Sequence, residues 1–341
     1  MGTNLEPLIV SKEISIEDLN GKRLVVDSFN MLYQFLTTIR QPDGNLLMDS
    51  KGRITSHLSG LFFRISALLK NNIKLAFVFD GVSPDLKKEE KIRRAELKED
   101  AYLKYKEAVE KEDIELMKKY ASRVSFLTKE IIEESKILID AFGLPIIQAP
   151  SEGEAQAAFM VKNNDFYAVL SQDTDSLLFG SLRVIKNLSV SRKRKLANKM
   201  SYVNVNPELI ELSNILNNLG IDLDQLIVIG ILCGTDFNIG GIKGIGPKKA
   251  LGLIKKYNKN FDSLFHEVKW NDFFNYDWKL VFDTIKNMPV NKDYKLIWKD
   301  IDKNKIYNFL VNEYDFNRER VEKILTELGK KQEQKGLSSF F

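Results

Sequence analysis

The 341-residue chain is predicted to have an α/β fold with a mostly parallel central sheet flanked by helices. Short apolar runs rich in β-branched residues recur along its first half, and amphipathic helical patterns separate them. The composition, 44% hydrophobic and 29% charged, is typical of a soluble protein with a sizeable core. The predicted strands are 23–27, 74–80, 144–149 and 167–173, and the predicted helices between them include 54–69 and 126–142.

The composition also excludes several classes of protein. Cys233 is the only cysteine, so neither an intrachain disulfide nor a cysteine-based zinc site is expected. Glu6, Lys12 and Glu13 interrupt the N-terminal stretch, so we expect an intracellular protein without a membrane segment or secretory signal. Only two histidines occur, which favours catalysis by carboxylates and metal over a histidine-based mechanism. The net charge of +4 says little by itself.

Seven acidic residues stand at the ends of predicted strands or at the starts of predicted helices. They are Asp27, Asp80, Glu152, Glu154, Asp173, Asp175 and Asp236. Ligands in open α/β sheets gather outside the carboxyl ends of the strands, so we expect these side chains to converge. Clustered carboxylates cannot all stay ionised without cations. Magnesium, which binds carboxylate oxygens, is the natural partner.

Each acidic residue taken singly also has an ordinary structural explanation. Aspartate commonly starts a loop after a strand, which accounts for Asp27 or Asp80 alone. Ser151 and Glu154 have the spacing of a helix capping box, which accounts for Glu154 without a metal. Because all seven occupy such positions together, the metal site is the favoured interpretation.

Residues 83–125 are poor in apolar side chains and crowded with both signs of charge, which predicts a solvated helix or helix pair. Lys87, Lys91, Arg94 and Lys98 would share one face of that helix and suit a phosphodiester backbone. The alternative is a surface helix held by salt bridges, because acidic residues are interleaved with the basic ones.

Residues 240–257 read as a turn, a glycine hairpin and a helix, within a region that is mainly helical from about 205 to 330. Gly244 and Gly246 allow close approach to a ligand, and a helix start with Lys248 and Lys249 favours phosphate. This predicts a sequence-independent grip on duplex DNA; a plain glycine turn is the alternative. The basic cluster 192–195 fits DNA contact or a solvated loop equally well.

The polar C-terminal tail, 330–341, ends in two aromatic residues. One helical turn would bring Leu337, Phe340 and Phe341 together, after Gln334, as an anchor for a partner's pocket. The alternative is a terminus that folds back on its own domain.

Together these segments resemble the flap endonuclease family, close to its archaeal members, over nearly the whole chain. The resemblance is carried by VVDSFNMLYQFL, TSHLSGLFFR, FVFDG, APSEGEAQAA, SQDTDSLLFG, CGTDF and GIGPKKA. The last eight residues, 334–341, resemble the PIP box that binds the sliding clamp PCNA. The chain lacks the basic extension that eukaryotic members carry after that box, which favours an archaeal source.

The resemblance implies a PIN-like nuclease core and roles for individual residues. Asp27, Asp80, Glu152 and Glu154 would serve one Mg²⁺, and Asp173, Asp175 and Asp236 would serve a second. Lys87 and Arg94 would stabilise the reacting phosphate, and Tyr33 would stack on a base. Residues 83–125 would form a helical arch that threads the 5′ flap. The hairpin would be a helix-two-turn-helix around a K⁺ ion, although its approach, 238–241, is one residue longer than in some eukaryotic relatives.

The predicted function is hydrolysis of a DNA phosphodiester near a 5′ flap junction, with PCNA, in Okazaki fragment maturation and DNA repair. The chain would be a monomer with a nuclease domain over 1–329, comprising regions 1–100, 126–225 and 226–329 and the arch. The alternatives are a related 5′–3′ exonuclease or junction resolvase, a clamp-bound DNA scaffold without catalysis, and a PIN-like RNase.

Overall fold

The computed structural model describes residues 3, 5–111, 113–121, 127–188, 193–195 and 202–338. The strands are β1 (Ser11–Glu13), β2 (Arg23–Asp27), β3 (Lys74–Phe79), β4 (Ile146–Gln148), β5 (Ala168–Leu170), β6 (Arg183–Lys186), β7 (Lys193–Lys195), β8 (Tyr202–Asn204) and β9 (Glu208–Glu211). The helices are α1 (Ser28–Thr38), α2 (Ser56–Lys70), α3 (Lys88–Glu110), α4 (Ile114–Ala121), α5 (Lys129–Ala141), α6 (Gly153–Lys162), α7 (Leu212–Leu219), α8 (Leu223–Cys233), α9 (Pro247–Tyr257), α10 (Phe261–Glu267), α11 (Trp278–Lys286), α12 (Lys303–Tyr307) and α13 (Arg318–Ser338).

Seven of the described strands form one sheet in the order β1-β9-β6-β5-β2-β3-β4. The five strands from β6 to β4 pair in parallel, with β2 at the centre between β3 and β5. β9 pairs antiparallel with β6, and β1 pairs antiparallel with β9. β7 and β8 form a separate antiparallel hairpin. The predicted α/β class with a mostly parallel sheet is therefore confirmed.

Each predicted strand contains an observed one: β2, β3, β4 and β5 lie within 23–27, 74–80, 144–149 and 167–173. The prediction of mainly helical structure from about 205 is wrong at its start. Leu209 and Ile210 are buried in β9, which pairs with β6 and extends the sheet.

Alternate residues of the central strands face opposite layers, because successive side chains of a strand point to opposite faces. Leu24 and Val26 pack in a core with α1, α2, α5 and α13. Val25 packs on the other face against α6. A second large core surrounds α8 and joins it to α9, α10 and α11. Both faces of the sheet are thus covered, as a parallel sheet requires.

The charged segment forms the helix pair α3 and α4, as its composition predicted, and the two helices pack against each other. At the C-terminus, α13 is anchored by buried Val321, Leu325 and Leu328 and continues to Ser338. The predicted start of the tail, residue 330, therefore falls inside this helix. Among the described helices, only the pair α7 and α8, bent by 85°, reaches the length and apolarity of a membrane span.

Candidate active site

The seven predicted acidic residues come from five segments that meet at one edge of the sheet. Asp27 closes β2 and caps α1, where its Oδ1 accepts a hydrogen bond from the Asn30 backbone N–H at 3.1 Å. Asp80 follows β3 directly. Asp173 and Asp175 follow β5, Glu152 and Glu154 open α6, and Asp236 follows the end of α8. The parallel strand order explains this convergence, because the carboxyl ends of β2, β3 and β5 are adjacent.

Asp80 and the start of α6 are in direct contact. The Gly153 backbone N–H donates to Asp80 Oδ1 at 2.7 Å. A Cβ at residue 153 would lie 2.4 Å from that oxygen, so only glycine fits there. The capping-box interpretation of residues 151–154 is wrong, because Glu152 is the N-cap residue and Ser151 Oγ donates to the Val82 carbonyl instead.

The pKa values of four of these carboxyl groups are raised above their ordinary range. Burial, and then the charges of Asp80 and Asp173, raise the pKa of Asp27 to about 7. Burial and the neighbouring Asp173 raise the pKa of Asp175 to about 7, and burial and Glu152 raise the pKa of Asp80 to about 6. Burial and the charges of Asp175, Asp27 and Asp173 raise the pKa of Glu154. The acids thus repel one another as one connected cluster.

Lys87, in the turn before α3, and Arg94, in α3, both lie against this cluster. The Lys87 ammonium contacts Glu152 and lies 3.2 Å from Asp236 Oδ2. Arg94 Nη2 lies 2.6 Å from Asp236 Oδ1. Burial lowers the pKa of Lys87, but the charges of Glu152 and Asp236 outweigh burial and raise it. Both cations therefore stay charged beside the carboxylates.

The donor chemistry of the cluster fits a hard divalent cation. All seven side chains offer carboxylate oxygens, the ligands that Mg²⁺ prefers. The charge repulsion among them is the kind that bound cations relieve. Within the described part of the chain, no three Asp, Glu, His or Cys side chains are placed so that they could bind one metal ion together. Lys87 and Arg94 instead contact the acids.

The rest of the predicted basic stripe follows α3 away from the acids. Lys91 is exposed, and its charge opposes the rise in the pKa of Asp80. Lys98 Nζ lies 5.0 Å from the ring centroid of Tyr33, a side chain that is 37% exposed on α1. The salt-bridge alternative holds in part, because Glu90 pairs with Arg93 and Arg94. Of the four basic residues, Lys87 and Arg94 thus contact the acids, and Lys98 lies beside Tyr33.

The glycine hairpin leads into a helix as its sequence predicted. Gly244 has φ +83° with open space where a Cβ would be, and Gly246 is the N-cap residue of α9. Pro247 is the first residue of that helix. Lys248 and Lys249 are exposed, and Lys249 Nζ donates to the Gly244 carbonyl at 2.9 Å.

Of the predicted partner-binding segment, 334–341, the structure describes only the backbone, and only as far as Ser338. The backbone of α13 includes Gln334 and Leu337, whereas Phe340 and Phe341 fall outside the described residues. Arg192 of the basic cluster also falls outside them, and the rest of that cluster, 193–195, forms β7.

Three polar groups at the site were not predicted from the sequence. Asn30 Nδ2 lies 3.4 Å from Asp173 Oδ2, so Asn30 connects Asp27 and Asp173. The Thr3 backbone N–H donates to Asp175 Oδ1 at 2.7 Å, and the Asp173 backbone N–H donates to Ser171 Oγ at 3.2 Å. Thr3 and Asp175 are 172 residues apart. The sequence carries no signal for that pairing, whereas Asn30 follows the predicted strand end closely enough to have been considered.

Comparison with known proteins agrees with this geometry. The XPG N-terminal domain matches residues 3–101, and the XPG I-region matches residues 143–236. The flap endonuclease 1 of Staphylothermus marinus is 50% identical, with 100% of each chain covered. The chain belongs to the flap endonuclease family.

Solved structures support the same assignment. Flap endonuclease-1 from Methanococcus jannaschii superposes with a TM-score of 0.76 at 43% identity, covering 96% of this chain and 98% of that one. The catalytic core of Rad2 in complex with DNA substrate superposes with a TM-score of 0.69 at 26% identity, covering 95% and 97%. The predicted resemblance, its PIN-like nuclease fold and the class of structure-specific flap endonuclease are thereby confirmed.

Proposed function

We propose that this flap endonuclease hydrolyses a DNA phosphodiester near the junction of a 5′ flap, in DNA replication and repair, with two Mg²⁺ ions bound. The observation that carries the proposal is the convergence of seven carboxylates from five segments, with Lys87 and Arg94 beside them. Buried acids that repel one another, next to fixed cations, form a site suited to a phosphate and its metals.

In this proposal the carboxylates divide into two sets. Asp27, Asp80, Glu152 and Glu154 hold one ion, and Asp173, Asp175 and Asp236 hold the other. Bound divalent ions supply an activated water and stabilise the leaving oxygen. Lys87 and Arg94 stabilise the negative charge that develops on the reacting phosphate, because both are cations held at fixed positions beside the acids.

The same proposal assigns the DNA strands to two surfaces. Residues 83–125 act as the arch that receives the single-stranded flap, with Lys91 and Lys98 along it and Tyr33 stacking on a base. The hairpin holds duplex through Gly244, Gly246, Lys248 and Lys249, together with a K⁺ ion. Support comes from the exposed lysines and from the helix start at Pro247, where backbone N–H groups and the helix dipole favour phosphate.

The proposal also assigns the C-terminal residues, 334–341, as the segment that binds a PCNA sliding clamp. Their spacing of Gln334, Leu337, Phe340 and Phe341 is the support for this assignment. An aromatic anchor that fills a partner's pocket commonly supplies most of the binding energy of such a contact.

Cleavage of a double-flap substrate by the purified protein tests the proposal. With Mg²⁺ we expect a single incision near the junction, and with a chelator we expect intact substrate that is still bound. Degradation from a free 5′ end without a flap preference would favour the exonuclease alternative. Binding without cleavage under every metal condition would favour the scaffold.

A further inference from the structure

Asp236 lies in a tight turn between the end of α8 and the glycine hairpin. Thr235 and Asn238 pair across this turn as an isolated antiparallel bridge. The Thr235 N–H donates to the Asn238 carbonyl at 3.3 Å, and the Asn238 N–H donates to the Thr235 carbonyl at 3.2 Å. Asp236 and Phe237 are the two residues at its tip, so this bridge fixes the backbone that carries the Asp236 side chain.

The side chains of Thr235 and Asn238 form buried hydrogen bonds within the turn. Asn238 is 1% exposed, and its Oδ1 accepts from Thr235 Oγ1 at 2.7 Å and from the Thr235 N–H at 3.2 Å. Asn238 Nδ2 donates to the Ile231 carbonyl in α8 at 2.7 Å. Thr235 Oγ1 accepts from the Phe237 N–H at 3.1 Å. A buried polar network with its groups paired specifies one conformation.

Residues of the glycine hairpin and Tyr276 also contact the turn. A Cβ at Gly241 would lie 2.4 Å from the Gly234 nitrogen, so the two chain segments touch through glycine alone. The Gly241 N–H donates to the Asn238 carbonyl at 3.3 Å, which joins the hairpin to the same turn. Tyr276, from the segment before α11, donates its hydroxyl to the Phe237 carbonyl at 3.2 Å.

We infer that Thr235 and Asn238 are positioning residues that fix the Asp236 carboxylate and tie it to the duplex-binding hairpin. The inference rests on the proposed function, in which Asp236 serves a divalent ion. In the structure the Asp236 carboxylate meets Arg94 Nη2 at 2.6 Å and Lys87 Nζ at 3.2 Å. Thr235 and Asn238 act through the turn, and residues that orient a metal-binding carboxylate commonly affect metal affinity.

Two substitutions at residue 235 test the inference. Thr235→Val keeps the shape of the side chain but can neither donate to Asn238 Oδ1 nor accept from the Phe237 N–H. Thr235→Ser keeps both hydrogen bonds. Thr284→Val controls for the substitution itself, because that hydroxyl donates to the Leu280 carbonyl within its own helix, α11.

The measurements are calorimetric titration of the full chain with Mn²⁺ without DNA, and the Mg²⁺ dependence of flap cleavage. We expect Thr235→Val to weaken Mn²⁺ affinity and raise the half-saturating Mg²⁺ concentration by roughly 10–100-fold, as outer-sphere partners of metal ligands do. The KM for the flap substrate should stay unchanged, and Thr235→Ser and Thr284→Val should match the parent chain. Equal metal binding by Thr235→Val and Thr235→Ser would overturn the inference.

Two further variants keep the test decisive. Tyr276→Phe removes only the hydroxyl on the Phe237 carbonyl, and should shift metal affinity in the same direction even if Thr235→Val is too unstable to titrate. No shift in Tyr276→Phe would then overturn the inference that this turn holds the Asp236 carboxylate in place. Asp236→Asn tests the proposed function separately. If Asp236→Asn binds Mn²⁺ and cleaves normally, the proposed role of Asp236 is wrong. If Asp236→Asn loses Mn²⁺ binding and cleavage while Thr235→Val behaves like the parent chain, only the positioning role of Thr235 is wrong.

Discussion

Gly153 separates two acidic residues of the site and brings the start of α6 against Asp80. Its N–H donates to Asp80 Oδ1, and the space for a Cβ is taken by that oxygen at 2.4 Å. A larger residue here must displace either the Asp80 carboxylate or the first turn of α6, which carries Glu152 and Glu154. In the sequence Gly153 is only a glycine between two glutamates. The reason that residue 153 is a glycine, its contact with Asp80, is seen only in the structure.

We expect Gly153→Ala to lower flap cleavage by at least roughly 10-fold, the lower end for displaced partners of metal ligands. Gly252→Ala is the matched control, because that glycine lies in α9 and a Cβ added to it would meet nothing within 4 Å. The control should be neutral or slightly more stable, since alanine favours a helix over glycine. Cleavage rates at saturating substrate measure both variants, and parent-like cleavage by Gly153→Ala would contradict the described contact.

The raised pKa values predict how stability depends on pH. Asp27 and Asp175 have pKa values of about 7 in the folded chain, against an ordinary 3.8. Between these values the folded state binds more protons than the unfolded state, so the cluster's contribution to stability falls as pH rises from about 4 to 7. Above that range the carboxylates are ionised, which is the form that the proposed metal site requires.

We therefore expect Mg²⁺ to raise the urea unfolding midpoint much more at pH 8 than at pH 5, because protons compete with the ion at low pH. Asp175→Asn should reduce this difference, while Asp300→Asn, at an exposed aspartate, should leave it unchanged. An Mg²⁺ effect of equal size at both pH values would show that the ion acts elsewhere.

At the scale of elements, α3 connects the acidic cluster to the exposed face of α1. Its first residues follow the turn 85–87 that carries Lys87, and further along the helix Arg94 meets Asp236. Lys98 then reaches Tyr33. The i, i+4, i+7 and i+11 spacing predicted one helix face for four basic residues, but Lys87 lies in the turn before the helix. The spacing also did not show which of the four contact the acids.

We expect Lys87→Met to lower kcat by about 10²–10³-fold, the range for removal of a fixed group that stabilises transition-state charge. The KM for the flap substrate should change little, because the proposed function places Lys87 at the reacting phosphate. Lys88→Met is the control, since that neighbouring ammonium pairs with Asp85 and its side chain is 72% exposed. Equal rates for the two variants would remove Lys87 from the reaction.

The central strands were predictable because each is a short apolar run that ends at a polar residue. β1 was not, because all three of its residues are exposed and it contributes only backbone pairing with β9. β9 was missed because two apolar residues between glutamates do not distinguish a strand from a helix turn.

At the scale of the whole molecule, the site depends on contacts between residues far apart in sequence. Asn30 meets Asp173 across 143 positions, and Arg94 meets Asp236 across 142. The sequence identified the acids because strand ends in a parallel sheet share one edge. It could not identify Thr3, whose N–H donates to Asp175 Oδ1, because nothing in the sequence connects two residues 172 positions apart.

The proposed clamp attachment through the C-terminal tail gives a prediction at this scale. Replacing Phe340 and Phe341 by alanine should abolish stimulation of cleavage by PCNA and leave cleavage without the clamp unchanged. Ser338→Ala with Ser339→Ala is the control and should keep the stimulation. Measured rates with and without clamp decide this, and full stimulation of the double Phe variant would place the clamp contact elsewhere.

The carboxylate cluster is best tested by a crystal structure of the full chain with Mn²⁺ and a flapped DNA, using the anomalous signal of the metal. We expect two anomalous peaks among the seven carboxylates, one on the side of Asp80 and Glu152 and the other on the side of Asp173 and Asp175. A map with peaks only outside this cluster would contradict the proposed metal site.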